Sequence, residues 1–382
     1  MKINTITCHK VYNYGASLQA FALQHYLENL NHEVKIINYI PWYHTNRYNP
    51  FWYNRNAPGL TIHLMKQVPL FRWIYAPYKA WKNGMFKTWK RKAAFDSFEK
   101  KYYHLTTKTY HTYKELVLSP PNGECYIAGS DQIWNTYSNN GKDEAYYLKF
   151  GSPQTKRIAY AASLATPQIY PGYEKFVTEN IKQLDFISLR EKSGIEILRK
   201  LGINNTNLVV DPVFLLSDKE WQELSKNSKK YKLEINSYIL VYDFLGNDIN
   251  MQKFILSYAK KHKLQIVSIN DFKPHPYANI NINDAGPLEF VNLIENAQCI
   301  IGNSFHATAF SVILKKEFYT FSLIGQNNSS RMQDFLEMTG IKGRMNPMTE
   351  TKEKIDYNQV SLKLSEQIKI SKKFLTRSLT KI

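Results

Sequence analysis

Short apolar runs alternate with segments of helical periodicity along most of the chain. KINTITC at the start predicts a buried strand, ASLQAFALQHYLENL a helix and VKIINY a second strand, which together form a βαβ unit. Further along, the same alternation continues through ECYIAGSDQIWN, KRIAYAASLA, a helix from about Tyr173 to Gln183, DFISLREKSGIEILRKLGI and NLVVDP. Strands separated by helices favour a parallel α/β sheet in this half of the chain.

From Ser217 the alternation starts again. We predict a short helix near Trp221, a helix from about Ile249 to His262 and a series formed by SYILVYDFL, LQIVSIN, LEFVNLIENAQ, CIIGNS, FHATAFSVILKK, FYTFSL and SRMQDFLEMTGI. The 382 residues suit two domains. We therefore expect two Rossmann-like domains, 1–215 and 216–356, and a C-terminal helix in 357–382. Ligands should bind in the cleft at the carboxyl ends of the strands.

Residues 41–115 interrupt the α/β pattern and carry most of the positive charge. They contain 14 Lys or Arg against three acids, in a chain whose net charge is +18. Five of the seven tryptophans also lie here, namely Trp42, Trp52, Trp73, Trp81 and Trp89. Cations among aromatic rings suit an anionic membrane surface or a phosphorylated ligand. A packed helical insertion and a single-stranded nucleic acid site are the alternatives. We expect a helical insertion facing acceptor or membrane, and no nucleic acid partner.

The chain lacks an uncharged apolar run long enough to cross a bilayer, and its first residues do not resemble a secretory signal. These features predict a cytoplasmic location. Cys8, Cys125 and Cys299 lie far apart in apolar runs without a CxxC pair. We interpret them as buried thiols and expect neither disulfides nor a metal site.

Turns that follow predicted strands supply candidate site residues. CIIGNSFHATAF places Asn303, Ser304 and His306 between a buried strand and a helix, where an imidazole can carry protons. The alternative is that His306 is only a polar cap. In HKVYNYGAS, Asn13 and Gly15 suit a tight turn that directs backbone N–H groups and a helix N-terminus at a ligand. This turn is not a GxGxxG dinucleotide motif.

Two arginines and one polar loop complete the set of candidates. Arg190 ends the strand in DFISLREKSG and Arg331 begins the helix in NNSSRMQDF, and each guanidinium could bind a carboxylate or phosphate. The alternatives are a surface ion pair for Arg190 and an exposed first-turn arginine for Arg331. Hydroxyl-recognition groups and an indole follow another strand, in Ser130, Asp131, Gln132 and Trp134. Trp134 suits either a sugar face or the core.

Five motifs together resemble the polysaccharide pyruvyl transferase family. They are HKVYNYGASLQAFALQ, IAGSDQIWN with IAYAAS, ISLREKSG, VVDPVFLL, and GNSFHATAFS followed by SRMQDFLEMTGI, and their order matches over nearly the whole chain outside 41–115. The resemblance implies a fold similar to GT-B glycosyltransferases. It also implies transfer of a pyruvyl group from phosphoenolpyruvate to a lipid-linked sugar of a capsule or exopolysaccharide precursor, with formation of a pyruvate ketal. No cofactor is implied beyond phosphoenolpyruvate as co-substrate.

Phosphoenolpyruvate carries a phosphate and a carboxylate, so its site needs at least two cationic or helix-end anchors. We expect His306 to be catalytic, and Arg190, Arg331, Asn303 and Ser304 to bind the donor. Positioning of donor or acceptor is expected from Asn13, Gly15, Ser130, Asp131 and Gln132. Many members have a basic histidine motif such as Ser-x-Arg-Leu-His, whereas this chain has Asn303-Ser304-Phe305-His306, and we expect Arg331 to replace the missing arginine.

Two other functions fit the same sequence features. A GT-B glycosyltransferase that uses a nucleotide sugar would share the two-sheet cleft. A non-catalytic carbohydrate- or lipid-binding scaffold would use His306 only as a cap. For the transferase, we expect peripheral contact with an anionic membrane at its cytoplasmic face.

Overall fold

A computed structural model describes residues 1–44, 48, 50–51, 59–82, 88–270, 273–325 and 329–380. Within these ranges, seven strands from the first half of the chain form one parallel sheet, in the order β3-β2-β1-β4-β5-β6-β7. Their bounds are β1 Lys2–Ile6, β2 Glu33–Tyr39, β3 Leu105–Tyr110, β4 Cys125–Ala128, β5 Lys156–Ala162, β6 Phe186–Leu189 and β7 Thr206–Leu208.

Seven helices accompany the first sheet in the described ranges. They are α1 Tyr14–Asn29, α2 Leu60–Gln67, α3 Pro69–Lys82, α4 Trp89–Tyr102, α5 Tyr113–Leu118, α6 Glu174–Ile181 and α7 Lys192–Lys200. The long helix α1 begins where Asn13, as N-cap, accepts a hydrogen bond from the backbone N–H of Ala16 at 3.2 Å. Most of its residues are buried, because it lies between the two halves of the molecule.

The second half of the chain forms a five-stranded parallel sheet in the order β10-β9-β8-β11-β12. Its strands are β8 Tyr238–Tyr242, β9 Gln265–Ile269, β10 Ile280–Ile282, β11 Cys299–Gly302 and β12 Glu317–Thr320. The remaining helices are α8 Asp218–Ser225, α9 Ile249–His262, α10 Pro287–Asn296, α11 Phe305–Ile313, α12 Ser330–Thr339 and α13 Tyr357–Leu379. Two parallel sheets with helical connections confirm the predicted fold class.

The two halves share one hydrophobic core. Helix α1 packs against α10, α11 and the 3-10 helix Pro212–Leu215. At this contact the ring of Tyr14 stacks on Phe290, with centroids 4.7 Å apart, and meets the edge of Tyr242 at 5.4 Å. Burial of these large rings stabilises the closed arrangement of the two sheets.

Helix α13 returns from the second half of the chain to the first sheet. The hydroxyl of Ser371 accepts a hydrogen bond from the N–H of Val210 at 2.9 Å, and Gln367 donates to the carbonyl of Leu208 at 2.8 Å. The C-terminal helix therefore ties the end of β7 to the rest of the molecule. The predicted domain boundary near residue 215 lies shortly after Val210, which α13 contacts.

The segment that we predicted as a helical insertion contains one strand of the sheet. Strand β3 lies inside 41–115 and pairs with β2 at the edge of the sheet. Its polar sequence LTTKTY is typical of an edge strand, which has only one neighbour. The helical part consists of α2, α3 and α4. Trp52 lies outside the described residues, and the other four tryptophans of the segment are each more than half exposed.

Two further expectations can be compared with the structure. The three cysteines are free and buried, as predicted. Among the described residues, no helix combines the length and the apolar character that a membrane span requires.

Candidate active site

Both sheets place polar loops at their switch points, where neighbouring strands send their connections to opposite faces. In the first sheet this point lies between β1 and β4, and in the second between β8 and β11. Asp131 follows β4 and adopts a φ of +70°, which aspartate tolerates better than most residues. His306 lies in the first turn of α11, directly after β11. The site is therefore built at the carboxyl ends of central strands from both halves.

Arg190 lies at the end of β6 and is held by two aspartates. Its Nη1 donates to Asp211 Oδ2 at 2.5 Å, and its Nη2 donates to Asp131 Oδ1 at 3.2 Å. The side chain of Arg190 is only 1% exposed. Arg190 is therefore not in a surface ion pair. It is a buried cation whose charge depends on these carboxylates.

Arg331, from the first turn of α12, approaches the same aspartate. Its Nη1 lies 3.8 Å from Asp131 Oδ1. With the amide oxygen of Gln132 turned toward the guanidinium, Gln132 accepts hydrogen bonds from Nη1 and Nη2 at 3.0 and 2.8 Å. The side chain of Arg331 is 12% exposed, and its guanidinium carbon lies 5.7 Å from the ring centroid of Phe305. The alternative of an exposed first-turn arginine is therefore wrong.

The imidazole of His306 lies between the two halves of the molecule. Its Nε2 is 3.6 Å from Asp211 Oδ2 and has no hydrogen-bond partner among the described residues. On the other side, a Cβ atom added to Gly15 would come within 1.9 Å of His306 Nδ1. Because glycine has no side chain, the N-terminal turn of α1 can approach the ring this closely.

The charges of the cluster alter one another's pKa values. Burial raises the pKa of the Asp211 carboxyl, but His306 and Arg190 offset it, so the pKa of Asp211 lies below its usual range. Burial and the neighbouring Arg190 lower the pKa of Arg331 to about 10. Arg331 therefore keeps its charge at neutral pH, although it lies next to another cation. A bound anion would relieve this repulsion.

The sequence model of the family described as polysaccharide pyruvyl transferase matches residues 13–323, a range that contains Asp131, Arg190, Asp211 and His306. The chain belongs to the polysaccharide pyruvyl transferase family. Arg331 lies beyond the matched range. No curated protein sequence matches the chain.

Solved structures resemble the chain in fold. A putative UDP-N-acetylglucosamine 2-epimerase from Listeria monocytogenes has a TM-score of 0.52 at 9% identity, over 98% of this chain and 90% of that chain. The UDP-GlcNAc 2-epimerase of Methanocaldococcus jannaschii has a TM-score of 0.48 at 13% identity, over 96% and 93% of the two chains. The likeness to the Listeria monocytogenes protein concerns the fold alone, and the fold of this family member is GT-B-like.

In this pyruvyl transferase family member, several predicted site residues form hydrogen bonds that hold loops and helix starts in place. Asn303 donates to Asp243 Oδ1 at 2.7 Å and accepts from the N–H of Phe244 at 3.0 Å, which joins the loops after β8 and β11. Ser304 is the N-cap of α11, as Asn13 is of α1. Their side chains hold the two helix starts in place, and they do not join the cluster around Arg190.

Ser130 and Trp134 differ in how they relate to the cluster. The hydroxyl of Ser130 lies 2.8 Å from the carbonyl oxygen of Ala161 and 3.2 Å from Asp211 Oδ2. Ser130 is therefore a buried neighbour of the cluster. Trp134 is fully buried, and its Nε1 donates to the carbonyl of Tyr146 at 3.1 Å. The core alternative for Trp134 is correct and the sugar-stacking alternative is wrong.

Asp211 is the principal site residue that sequence reasoning missed. It contacts Arg190, Ser130 and His306, yet from the sequence it was noted only within NLVVDP and the motif VVDPVFLL and was assigned no role. The available signal was an acid directly after the apolar run NLVV, because a charged residue at the end of a buried strand needs a partner.

A cavity of about 230 Å³ reaches the cluster from the side of α7 and α12. Arg190, Asp211 and Phe305 form one part of its wall, and Lys192 contributes a further cation. Most of the other lining residues are apolar. Ser193 at the start of α7 donates from its N–H and hydroxyl to Asp334 of α12, at 2.9 and 2.8 Å, which fixes the two helices beside the cavity. Within the described residues, no group of three or more His, Cys, Asp or Glu is placed to bind a metal ion.

Replacement of Gly15 by alanine tests the close approach between α1 and His306. We expect Gly15→Ala to displace the imidazole and to lower activity strongly, because the new methyl group would overlap Nδ1. We also expect the free energy of unfolding to fall by about 1–3 kcal/mol, as in other overpacked cores. Urea unfolding and an activity assay measure the two effects.

Gly343→Ala is the matched control, since no atom lies within 4 Å of a Cβ there. Equal behaviour of the two variants would contradict the contact.

Proposed function

We propose that this protein transfers a pyruvyl group from phosphoenolpyruvate to a sugar of a surface polysaccharide precursor and forms a pyruvate ketal. The observation that carries this proposal is the presence of two guanidinium groups, one buried and one mostly covered, beside one imidazole at the interface of the two sheets. Arg190 and Arg331 share the carboxylate of Asp131, and His306 shares Asp211 with Arg190. This set combines anchors for a small dianion with a proton carrier.

The two arginines are not equivalent as anchors. Arg190 directs both terminal nitrogens at aspartates, whereas Arg331 bonds chiefly to the neutral amide of Gln132. The charge of Arg331 is therefore less neutralised by neighbouring carboxylates than that of Arg190, and Arg331 can bind a phosphate or carboxylate more strongly. The helix N-terminus that carries His306 adds further N–H donors for an anion. We assign Arg331 as the main donor anchor and Arg190 as the second.

Arg331 lies where it can replace the arginine of the usual histidine motif. This chain has Asn303-Ser304-Phe305-His306 at that motif, and the guanidinium of Arg331 lies beside the ring of Phe305 within it. The guanidinium of Arg331 thus reaches the histidine motif from α12, whereas the motif itself begins α11. This supports the assignment of Arg331 as the replacement.

In the proposed reaction, His306 moves protons. The enol carbon C3 of phosphoenolpyruvate gains a proton and becomes a methyl group, which leaves positive charge at C2. One acceptor hydroxyl then attacks C2 and loses its proton. The C2–O bond to phosphate breaks and inorganic phosphate leaves, taking up one proton, and a second hydroxyl attacks C2 and closes the ring with loss of its own proton. General acid–base catalysis of this kind is worth roughly 10²- to 10⁴-fold.

Asp211 is proposed as a positioning residue for His306. Its carboxylate lies 3.6 Å from Nε2 and is fixed by Arg190, by the hydroxyl of Ser130 and by the N–H of Val213. A carboxylate held in this way favours one orientation of the imidazole. Asp131 and Gln132 hold the guanidinium groups, and Gly15 leaves space for the ring.

The acceptor and the place of reaction belong to the same proposal. We assign the acceptor as a lipid-linked sugar of a capsule or exopolysaccharide precursor, presented at the cytoplasmic face of the membrane. This fits a family named for polysaccharides together with the basic, aromatic segment of 41–115.

Ligand-induced thermal stabilisation tests the donor. We expect phosphoenolpyruvate to raise Tm by a few degrees, since a ligand at 100 times its Kd adds about 2.7 kcal/mol to stability. Arg331→Gln should lose most of this increase, whereas Arg377→Gln, at an exposed position of α13, should keep it. A Tm increase with UDP and none with phosphoenolpyruvate would instead support a glycosyltransferase that uses a nucleotide sugar.

A further inference from the structure

Helices α2 and α3 form a hairpin that leaves much of its apolar surface uncovered. Its own small core contains Ile62, Met65 and Ala76, with Phe71 and Tyr75 packed against it. These residues account for one side of α3 only. On the other side of the helix, the ring of Trp73 lies 4.7 Å from that of Phe51, yet Trp73 remains more than half exposed.

The outward side of α3 carries large apolar and aromatic residues at helical spacing. Positions 70, 73, 74, 78 and 81 lie within one face of a helix with 3.6 residues per turn. The exposed fractions on this face are 70% for Leu70, 59% for Trp73, 68% for Ile74, 51% for Tyr78 and 63% for Trp81. Exposed apolar residues grouped in this way mark an interaction surface rather than ordinary scattered exposure.

The charge around this surface has one sign. Between Glu33 and Asp96 the sequence contains eleven Lys or Arg and no acid. Four of these cations lie on the hairpin itself, as Lys66, Arg72, Lys79 and Lys82. On α3 the cations fall outside the arc of the apolar face, because positions 72, 79 and 82 are rotated away from positions 70, 74 and 81. An apolar face rich in tryptophan and a cationic polar face are typical of helices that lie in a membrane interface.

We propose that the outward face of α3 docks on an anionic membrane surface. The hairpin would lie on the bilayer, with Leu70, Trp73, Ile74 and Trp81 inserted among the headgroups and the cations near lipid phosphates. A second copy of the chain fits this surface less well, because two such faces would bring like charges together without acids to pair them. An anionic bilayer supplies both the apolar environment and the opposite charge.

Helix α4 follows the hairpin in the chain and packs next to the candidate site. Arg91 of α4 is buried and donates to the carbonyl of Tyr12 at 2.9 Å, and Lys10 pairs with Asp96 and Glu99 of the same helix at 3.0 and 2.7 Å. Helix α4 is thus fixed to the loop after β1, which ends at Asn13 just before the first turn of α1 with Gly15. The docking surface does not depend on the reaction proposed above, and it holds whether or not phosphoenolpyruvate is the donor.

Sedimentation with lipid vesicles tests the surface directly. The full chain is mixed with vesicles of phosphatidylcholine alone or with about one third phosphatidylglycerol, at low and high salt. We expect binding to the anionic vesicles at low salt, weaker binding at high salt and little binding to neutral vesicles, because surface charges are screened by salt. An absence of binding to anionic vesicles at low salt would overturn the proposal.

Two pairs of substitutions locate the binding on α3. Trp73→Ala with Trp81→Ala should weaken binding by at least tenfold through lost apolar burial. Lys79→Ala with Lys82→Ala should weaken it by about 25-fold, since each cation near an anionic surface contributes about fivefold. The matched controls are Leu362→Ala with Ile370→Ala, both exposed on α13, and Lys352→Ala with Lys354→Ala. Equal losses in the controls would show binding by net charge alone and would overturn the proposal.

Size-exclusion chromatography without lipid separates docking from self-association. If the tryptophan variants convert an oligomer into a monomer while vesicle binding stays unchanged, the face joins copies of the chain and the membrane assignment is wrong. If they abolish vesicle binding and leave the oligomeric state unchanged, the assignment is supported. Circular dichroism of each variant establishes that the fold is intact.

Discussion

His306→Ala is expected to lower phosphoenolpyruvate-dependent phosphate release by about 10²- to 10⁴-fold, the usual contribution of a general acid–base group. The reason is that the imidazole lies between Asp211 of the first half and Gly15 of α1, with two guanidinium groups nearby. Phosphate release in the presence of a lipid-linked sugar acceptor measures the effect.

The control for this experiment is a histidine outside the cluster. His104 is largely exposed and contacts Glu28, so His104→Ala should keep activity near that of the unchanged protein. Circular dichroism and the urea midpoint show whether His306→Ala is folded. Activity that stays within about twofold in a folded His306→Ala protein would support the alternative in which His306 is only a cap.

Asp211→Ala is expected to lower the free energy of unfolding by about 3–5 kcal/mol, because it leaves the buried charge of Arg190 with one carboxylate fewer. Arg190 Nη1 donates to Asp211 at 2.5 Å, and both side chains are almost completely buried. Urea unfolding at neutral pH measures the loss. The same variant should also lower activity, since the orientation of His306 depends on this carboxylate.

The control for Asp211 is an aspartate in an exposed ion pair. Asp218 lies 3.5 Å from Lys315 near the surface, so Asp218→Ala should cost less than about 1 kcal/mol. Asp211→Asn keeps an oxygen for the N–H of Val213 and should be destabilised less than Asp211→Ala. If Asp211→Ala and Asp218→Ala have the same effect, the buried network contributes little to folding.

Acid should weaken the contribution of this network. The pKa of Asp211 and that of Asp131 both lie below the usual range, because nearby cations outweigh the effect of burial. A carboxyl whose pKa is lower in the folded state stabilises the fold above its unfolded pKa of about 3.9 and loses this contribution as pH falls further. The stability difference between the unchanged protein and Asp211→Asn should therefore be largest near neutral pH and shrink below about pH 4. A difference that does not change with pH would contradict this assignment of charge.

The sequence predicted the elements whose periodicity is strong. Helix α9 has the bounds expected from Ile249 to His262, and β11 followed by α11 places His306 at the mouth of the second sheet. Strand β3 was missed because LTTKTY at the sheet edge lacks the apolar run of a central strand. The periodicity of a segment reports on its burial, and an edge strand is only partly buried.

The site was predictable in its residue types and only partly in its contacts. Arg190, Asp131 and His306 were identified from their positions after strands and Arg331 from its position at a helix start, and the structure brings them together. The partner of Arg190 could not be chosen from the sequence, because Asp131, Glu191 and Asp211 are all near strand ends. Only the path of the chain after β7 determines that Asp211 faces Arg190 Nη1.

The contact between Gly15 and His306 has a consequence for turnover. Asp131 and Arg190 belong to the first sheet, whereas His306 and Arg331 belong to helices of the second half. If a hinge movement separated the two halves, His306 and Arg331 would move away from Asp131 and Arg190, and the candidate site would no longer be assembled. Under the proposed function, the reaction would therefore require the halves to be closed on each other, and this arrangement would keep bulk water from the bound donor.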